Sequence, residues 1–219
     1  MDDEPKKSRS LEFTLGLIIL ISLIAFVFIR IEIRAKRAHQ ERAFGNVRLI
    51  GYALIVFDSD FGTFPSETTI EDVNSVFPDN LSYDFSGKSS NAIFRQLLAA
   101  GIVGNEELFY AKIKNTVDPD GYITPGEGIK KGECGFAYIA GLSSKDDPST
   151  HLVLTPLIPG TTKFDPKPFA GNAIINHIDN SVSYEPIDDD GHVYIDGIDI
   201  LSPKHPIWKG KAPDIRYPE

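Results

Sequence analysis

Phe13-Thr14-Leu15-Gly16-Leu17-Ile18-Ile19-Leu20-Ile21-Ser22-Leu23-Ile24-Ala25-Phe26-Val27-Phe28-Ile29 is an uncharged apolar run near the start of the chain. Arg30-Ile31-Glu32-Ile33-Arg34 follows it without any turn signal. As a helix the run spans about 25 Å at about 1.5 Å per residue, near the lower limit for a bilayer core of about 30 Å. It is expected to be a single membrane span in contact with lipid through residues 13–29. A cleavable secretory signal would place small neutral residues just after the run, where Arg30 to Arg34 stand instead. A buried core helix and an interfacial helix both fit worse. Only the hydroxyls of Thr14 and Ser22 interrupt the run, both can bond back to helix carbonyls, and no polar face exists.

Downstream, Phe44, Val47, Ile50, Leu54 and Phe57 recur every three or four positions, one apolar stripe that has to pack on something. No proline occurs between Arg30 and Phe57, and Gly45 and Gly51 cost about 1 kcal/mol each against alanine. The helix is therefore expected to leave the membrane unbroken and to end at Asp58-Ser59-Asp60-Phe61-Gly62, with Phe64-Pro65 as an extended exit. The organisation expected is a polar leader (1–12), a transmembrane helix (13–33), an amphipathic stem (34–60), a globular domain (61–201) and a Pro-rich tail (202–219). The tail, with Pro203, Pro206, Pro213 and Pro218, reads as an extended arm on the domain, anchored by Trp208.

Within the domain, a short helix is expected at Ile70 to Val76 behind Thr68 or Thr69, an amphipathic one at Asn91 to Ala100 stopped by Gly101, and a third from Asn105 toward Lys112. From Cys134 onward the pattern turns to strands at 135–140, 151–158, 172–178, 181–187 and 192–196, with Asp179-Asn180 as a two-residue hairpin loop. Short links between successive strands imply an antiparallel sheet. The fold class is thus α+β, a long N-terminal helix packed on a C-terminal antiparallel sheet.

Residues 43–219 carry 14 Lys plus Arg against 25 Asp plus Glu, a net charge of −11. That balance repels nucleic acid and anionic lipid. Cys134 is the only cysteine, so no disulfide forms within the chain and no cysteine-rich metal site is built. The five histidines lack HExxH spacing, and GxSxG, GxxxxGK[ST] and GxGxxG are absent, so no catalytic residue is assigned and a non-enzyme is expected.

A loop with cation-ligand spacing runs from Asp118 to Glu127. Asp118 and Asp120 take the third and fifth places of an EF-hand loop, Gly121 the sixth, Ile123 the eighth and Glu127 the twelfth, while Thr116 stands at the first. Asp118, Asp120 and Glu127 are therefore candidate Ca2+ ligands, with an ordinary acidic turn as the alternative. Asp188-Asp189-Asp190-Gly191-His192 is a second acidic cluster whose alternating oxygens could hold a hard cation, and it is read in preference as a solvated turn between strands. His177 reads as a packed or half-exposed sheet residue, and Cys134 as a small buried side chain.

The order of parts resembles type IV pilin-like and type II secretion pseudopilin-like proteins of planctomycete and verrucomicrobial type. Phe13-Thr14-Leu15 match the prepilin motif Gly-Phe-Thr-Leu-x-Glu. Asn46 to Leu54 with Asp58, Phe61-Gly62 and Phe64-Pro65 resemble the family's passage from helix to loop, and residues 171–191 its closing hairpin. The resemblance implies a structural or assembly role in a secretion or pilus-like system, other pilin-like subunits as partners, and Ca2+ as the cofactor to consider. It implies the inner membrane, with the domain periplasmic or otherwise extracytoplasmic. Two positions depart from the motif. Glu12 stands where the peptidase cuts after Gly and methylates the new end, here Phe13, and Leu17 replaces the family's Glu. A relative that stays anchored, as a binding module for a cation or carbohydrate, is the alternative. Counting Lys6, Lys7 and Arg9 against Arg30, Arg34, Lys36, Arg37 and Arg42, the positive-inside rule alone would turn the domain to the cytoplasm. The family's export of domains behind such basic flanks outweighs that count here.

Overall fold

The computed structural model describes residues 6–77, 83–124, 126 and 128–219, with side chains in the first helix described from residue 13 onward. That helix, α1, runs Lys6–Phe61, and the chain falls into two compact units, residues 1–38 and 39–219. In the first unit no described side chain is buried, and Leu15, Ile18, Leu20, Leu23, Phe26 and Phe28 are all at least about half exposed. Among the described residues this is the one helix long and apolar enough to cross a membrane.

The second unit has the expected α+β architecture. Its sheet takes the order β4-β3-β2-β1-β7, antiparallel throughout, from β1 (Ala137–Ala140), β2 (His151–Thr155), β3 (Asn172–His177), β4 (Val182–Pro186) and β7 (Asp214–Arg216). Val47, Ile50, Leu54 and Phe57 of α1 are wholly buried and join Tyr138, Leu152, Val153 and Ile174 in one core. Phe44, at the upper edge of the stripe, is half-buried and stacks on Tyr184 of β4 with centroids 4.8 Å apart. A bulge between His151 and Val153 turns both Leu152 and Val153 toward this core.

Gly51 shows why the stem tolerates a glycine. A Cβ there would lie 2.3 Å from Asn180 Oδ1 and 2.6 Å from Asn176 Nδ2, so the bare Cα lets the helix seat against these two side chains at the end of β3, and any larger residue would have to displace them. That turn carries three residues, Ile178 to Asn180, rather than the two expected. Asn180 N donates to His177 O, His177 N to Ser181 O, and Asn180 takes the left-handed φ of 62° that asparagine tolerates.

The helices follow the expected order with altered ends. α2 is Ile70–Val76 with Thr69 at its N-cap, as expected, but the Thr69 side chain bonds back to Ser66 instead of capping α2: Ser66 opens a 3-10 turn at Glu67–Thr69 and shares a capping box with Thr69. α3 is Ser90–Ala99, capped by Ser89 and buried nearly all round, with Ile93, Leu97 and Leu98 in the core as expected. Gly101 ends it at φ 67°. The third helix shrinks to a 3-10 turn, Glu106–Phe109, since Asn105 caps only one turn before Tyr110 becomes extended.

Two strand readings need correction. Residues 192–196 do not enter the main sheet: Tyr194–Ile195 (β5) pairs only with Ile198–Asp199 (β6), in a two-stranded hairpin. The Pro-rich tail is more than an arm, since Asp214–Arg216 is the edge strand on β1, with Tyr138 opposite Arg216. Pro213 precedes this edge strand, where its missing N–H costs nothing. Beyond it, Tyr217 O accepts from Ser90 N, and Glu219 N donates to Asn91 Oδ1. Trp208 is buried, donating its indole N–H to Ile200 O at 2.6 Å. It belongs to a second core with Ile139, Leu154, Ile175 and Val193 on the other sheet face, which is why β1 and β2 are buried on both sides.

Candidate functional site

The acidic loop is built around a residue outside the Asp118 to Glu127 spacing. Glu106, at the start of its 3-10 turn and 1% exposed, accepts from Gly121 N at 2.6 Å with one oxygen and from Ile129 N at 3.1 Å with the other. Glu133 accepts from Lys130 N at 2.5 Å, and Asp120 accepts from Tyr122 N at 3.0 Å. One oxygen each of Glu106, Asp120 and Glu133 lies within 4.8 Å of the others. Asp120 thus gathers with Glu106 and Glu133, whereas Asp118 stays exposed and Glu127 lies outside the described residues. Positive charge comes from the chain itself, with Lys130 Nζ 2.7 Å from Asp120 Oδ2. Lys130 first, and the Tyr122 N–H second, hold the Asp120 carboxyl below its ordinary range. Nothing in the local spacing announces this grouping, because Glu106 and Glu133 reach the loop only through the fold.

Burial pushes Glu106 the other way. Loss of hydration raises its pKa from the ordinary 4.5, the two backbone N–H groups resist, and the charges of Glu133 and Asp120 add to the rise. With a raised folded-state value, Glu106 contributes most to stability below about pH 4.5, and the contribution is lost as pH rises through its folded pKa. Glu106→Gln is expected to flatten that part of the melting-temperature profile. It should also cost about 1–3 kcal/mol at acidic pH, since an amide oxygen satisfies only one of the two N–H groups. Thermal melts of wild type and variant across the acidic range check both statements.

The second acidic cluster is a closed turn. Asp188 Oδ1 accepts from Asp190 N at 3.0 Å and His192 N at 2.7 Å, and His192 Nδ1 lies 2.6 Å from Asp199 Oδ2. Cys134 is buried between Ser90 and Phe136, and burial lifts its thiol to about 11, far from a reactive thiolate. His177 is half-buried in β3 opposite His151, which is 2% exposed and kept neutral, its pKa pushed down to about 3 by burial, then by His177 and His205.

The stem has a second side that is partly exposed. Leu49 and Tyr52 are 57% and 62% exposed, and with Arg42, Asn46 and Val56 they form one wall of an open groove of about 730 Å3. Ile102, Val103 and Leu108 form the other wall. Asn46 spans its upper end, donating to Glu107 O at 3.0 Å and Tyr110 O at 2.9 Å, and Arg42 pairs with Glu107 at 2.9 Å. Phe13, at the motif position named above, is 76% exposed; the side chain of Glu12 lies outside those described. No protein-family model, no curated protein and no solved structure matches this chain.

Proposed function

We propose that the chain is a non-catalytic, pseudopilin-like structural or assembly component of a type II secretion or type IV pilus-like system. It is held in the inner membrane by one span, with its C-terminal domain on the extracytoplasmic side. The observation that carries this reading is α1: its residues 13–29 are apolar on every side and exposed, while its later part holds the domain's core stripe. A helix so divided serves lipid with one part and its own sheet with the other. The exposed Leu49 and Tyr52 beside the groove suit packing against other pilin-like subunits. No catalytic motif competes with this reading, and the net negative domain disfavours nucleic acid.

Glu12 and Leu17 favour a second reading, a permanently anchored binding module that has lost processing and polymerisation. A carboxylate inside a lipid-embedded helix is expensive unless a neighbour neutralises it, and Leu17 has removed both the expense and the reason for the neighbour. Mass spectrometry of the native protein is expected to find its amino terminus upstream of Phe13. A methylated Phe13 end would sink the permanent anchor and restore the processed subunit. Alkaline phosphatase fused after residue 60 is expected to be active, and an inactive, stably expressed fusion would reverse the orientation.

A further inference from the structure

Three of the five histidines meet on the sheet face turned away from α1. His151 begins β2 and stands opposite His177, the last residue of β3, with Nδ1 atoms 3.3 Å apart. Residues 202–211 lie over the pair, placing the His205 ring 5.8 Å from that of His151 and the Trp208 ring 5.9 Å from it, edge-on.

His151 is 2% exposed, and its contacts fix where its proton sits. His177 Nδ1 is 2.8 Å from the Ser149 carbonyl, which only accepts, so this nitrogen carries a proton and His151 Nδ1 turns a lone pair to it. The His151 proton is therefore on Nε2, which is buried without a hydrogen-bond partner. A second proton has only Nδ1 to go to, and there two donors would face each other at 3.3 Å. His177 relieves that clash only by giving up its bond to Ser149, which sets one lone pair against another.

No acid compensates a charged His151. The titratable group facing it from β3 is His177, and from residues 202–211 it is His205; the charge of each works against it. Asp196 and Asp199, in the β5–β6 hairpin, act on His205, and Asp199 is also held 2.6 Å from His192. Asp179, in the β3–β4 turn, is bonded to Ser181 and interacts with His177. Among the described residues no carboxylate acts on His151 itself. The weaker side of this contact is residues 202–211. β2 and β3 each have a strand on both edges, whereas the N–H groups of Ser202, His205, Trp208, Lys209 and Lys211 all donate to carbonyls between Asp199 and Trp208, none of them in the sheet. Beyond the segment, β7 stays tied to β1 and, through Arg216, to Glu67 at 2.6 Å.

We propose that His151 is a proton-operated latch: protonating it lifts residues 202–211 off the sheet, withdraws Trp208 from the second core and uncovers part of the apolar face formed by Ile139, Leu154 and Ile175. The latch is closed at neutral pH. Burial, then His177 and His205, pushes His151 from its ordinary 6.5 down to about 3, and an opened segment returns it to the ordinary value. The open form therefore binds the extra proton, so closure is fully present above about pH 6.5 and is lost progressively as pH falls below it. One such group favours the open form about 10-fold per pH unit below that value, or about 20-fold between pH 7 and pH 5.

The latch stands apart from the membrane and assembly readings, and its test depends on neither. Amide hydrogen exchange of the full chain in detergent, followed by mass spectrometry at pH 7 and pH 5 and corrected for the intrinsic effect of pH on exchange, reads the opening of each segment. Opening of residues 202–211 is expected to rise about 20-fold at pH 5 while β2 and β3 keep their protection. His151→Leu and His151→Gln, two replacements without a titrating group, are expected to remove that rise. An unchanged opening in the wild type, a rise shared equally by β2 and β3, or an undiminished rise in whichever variant folds overturns the proposal.

Discussion

Phe57→Ala is expected to destabilise the domain by about 3–5 kcal/mol, a large part of the 5–15 kcal/mol that holds a typical domain folded. Phe57 has no exposed surface, and its ring stacks on Phe61 at 4.3 Å. It lies near the end of α1, where the helix crosses a core shared with Tyr138 and Phe94. Removing it opens a cavity that the sheet has little room to close. Leu49→Ala is the matched control, since Leu49 is equally a residue of the stem but lies on its exposed side, and its substitution should stay within about 0.5 kcal/mol. Urea unfolding of the full chain in detergent, followed by Trp208 fluorescence, measures both. Trp208 belongs to the second core on the far side of the sheet, so its response also tests whether the two cores unfold together.

Leu20→Arg with Ile24→Arg is expected to release the protein from the membrane. The two positions are four apart on α1, and both side chains are about half exposed, with nothing buried around them. Each arginine near the centre of a span costs about 2.5–3.5 kcal/mol on the insertion scale, and the two on one helical face cannot both reach a lipid interface. The double variant should move to the alkaline-carbonate-soluble fraction, whereas Leu49→Arg on the exposed stem should not. Retention of the double variant in the carbonate-resistant pellet would remove the spanning helix from the functional reading.

Where local chemistry decided the outcome, residues and structure agree. The 3.6-residue spacing of Val47, Ile50, Leu54 and Phe57 leaves one solution for a helix against a sheet, and all four have no exposed surface. Gly101 and Asn180 sit where the chain needs positive φ, and both could be read because few residues adopt it. Disagreement begins where a short segment had two partners to choose from. His192 to Asp196 has strand composition, but Val193 makes only a single bridge, to Ile187 just past β4, and Tyr194–Ile195 pairs with its own next few residues. Asp214 to Arg216 looks like the middle of a proline-rich arm, yet β1 offers an open edge and the tail is long enough to return to it. The same holds for the sites. Asp120 was visible in the spacing, but Glu106 and Glu133 were not, because they approach it from separate turns. His151 and His205, 54 residues apart, meet only after the second core has folded.

By itself, the sequence determined the unbroken apolar helix, the single face on which its later part packs, the antiparallel character of the sheet and the negative charge of the domain. Each of these depends on residues close together in the chain, where periodicity and propensity act directly. The tertiary structure alone decided which strand closes the sheet, which carboxylates surround Asp120, which side chains Gly51 packs against, and where three histidines converge. Those outcomes depend on which distant surfaces compete for the same edge or cavity, and burial settles such competition only when the whole domain has formed.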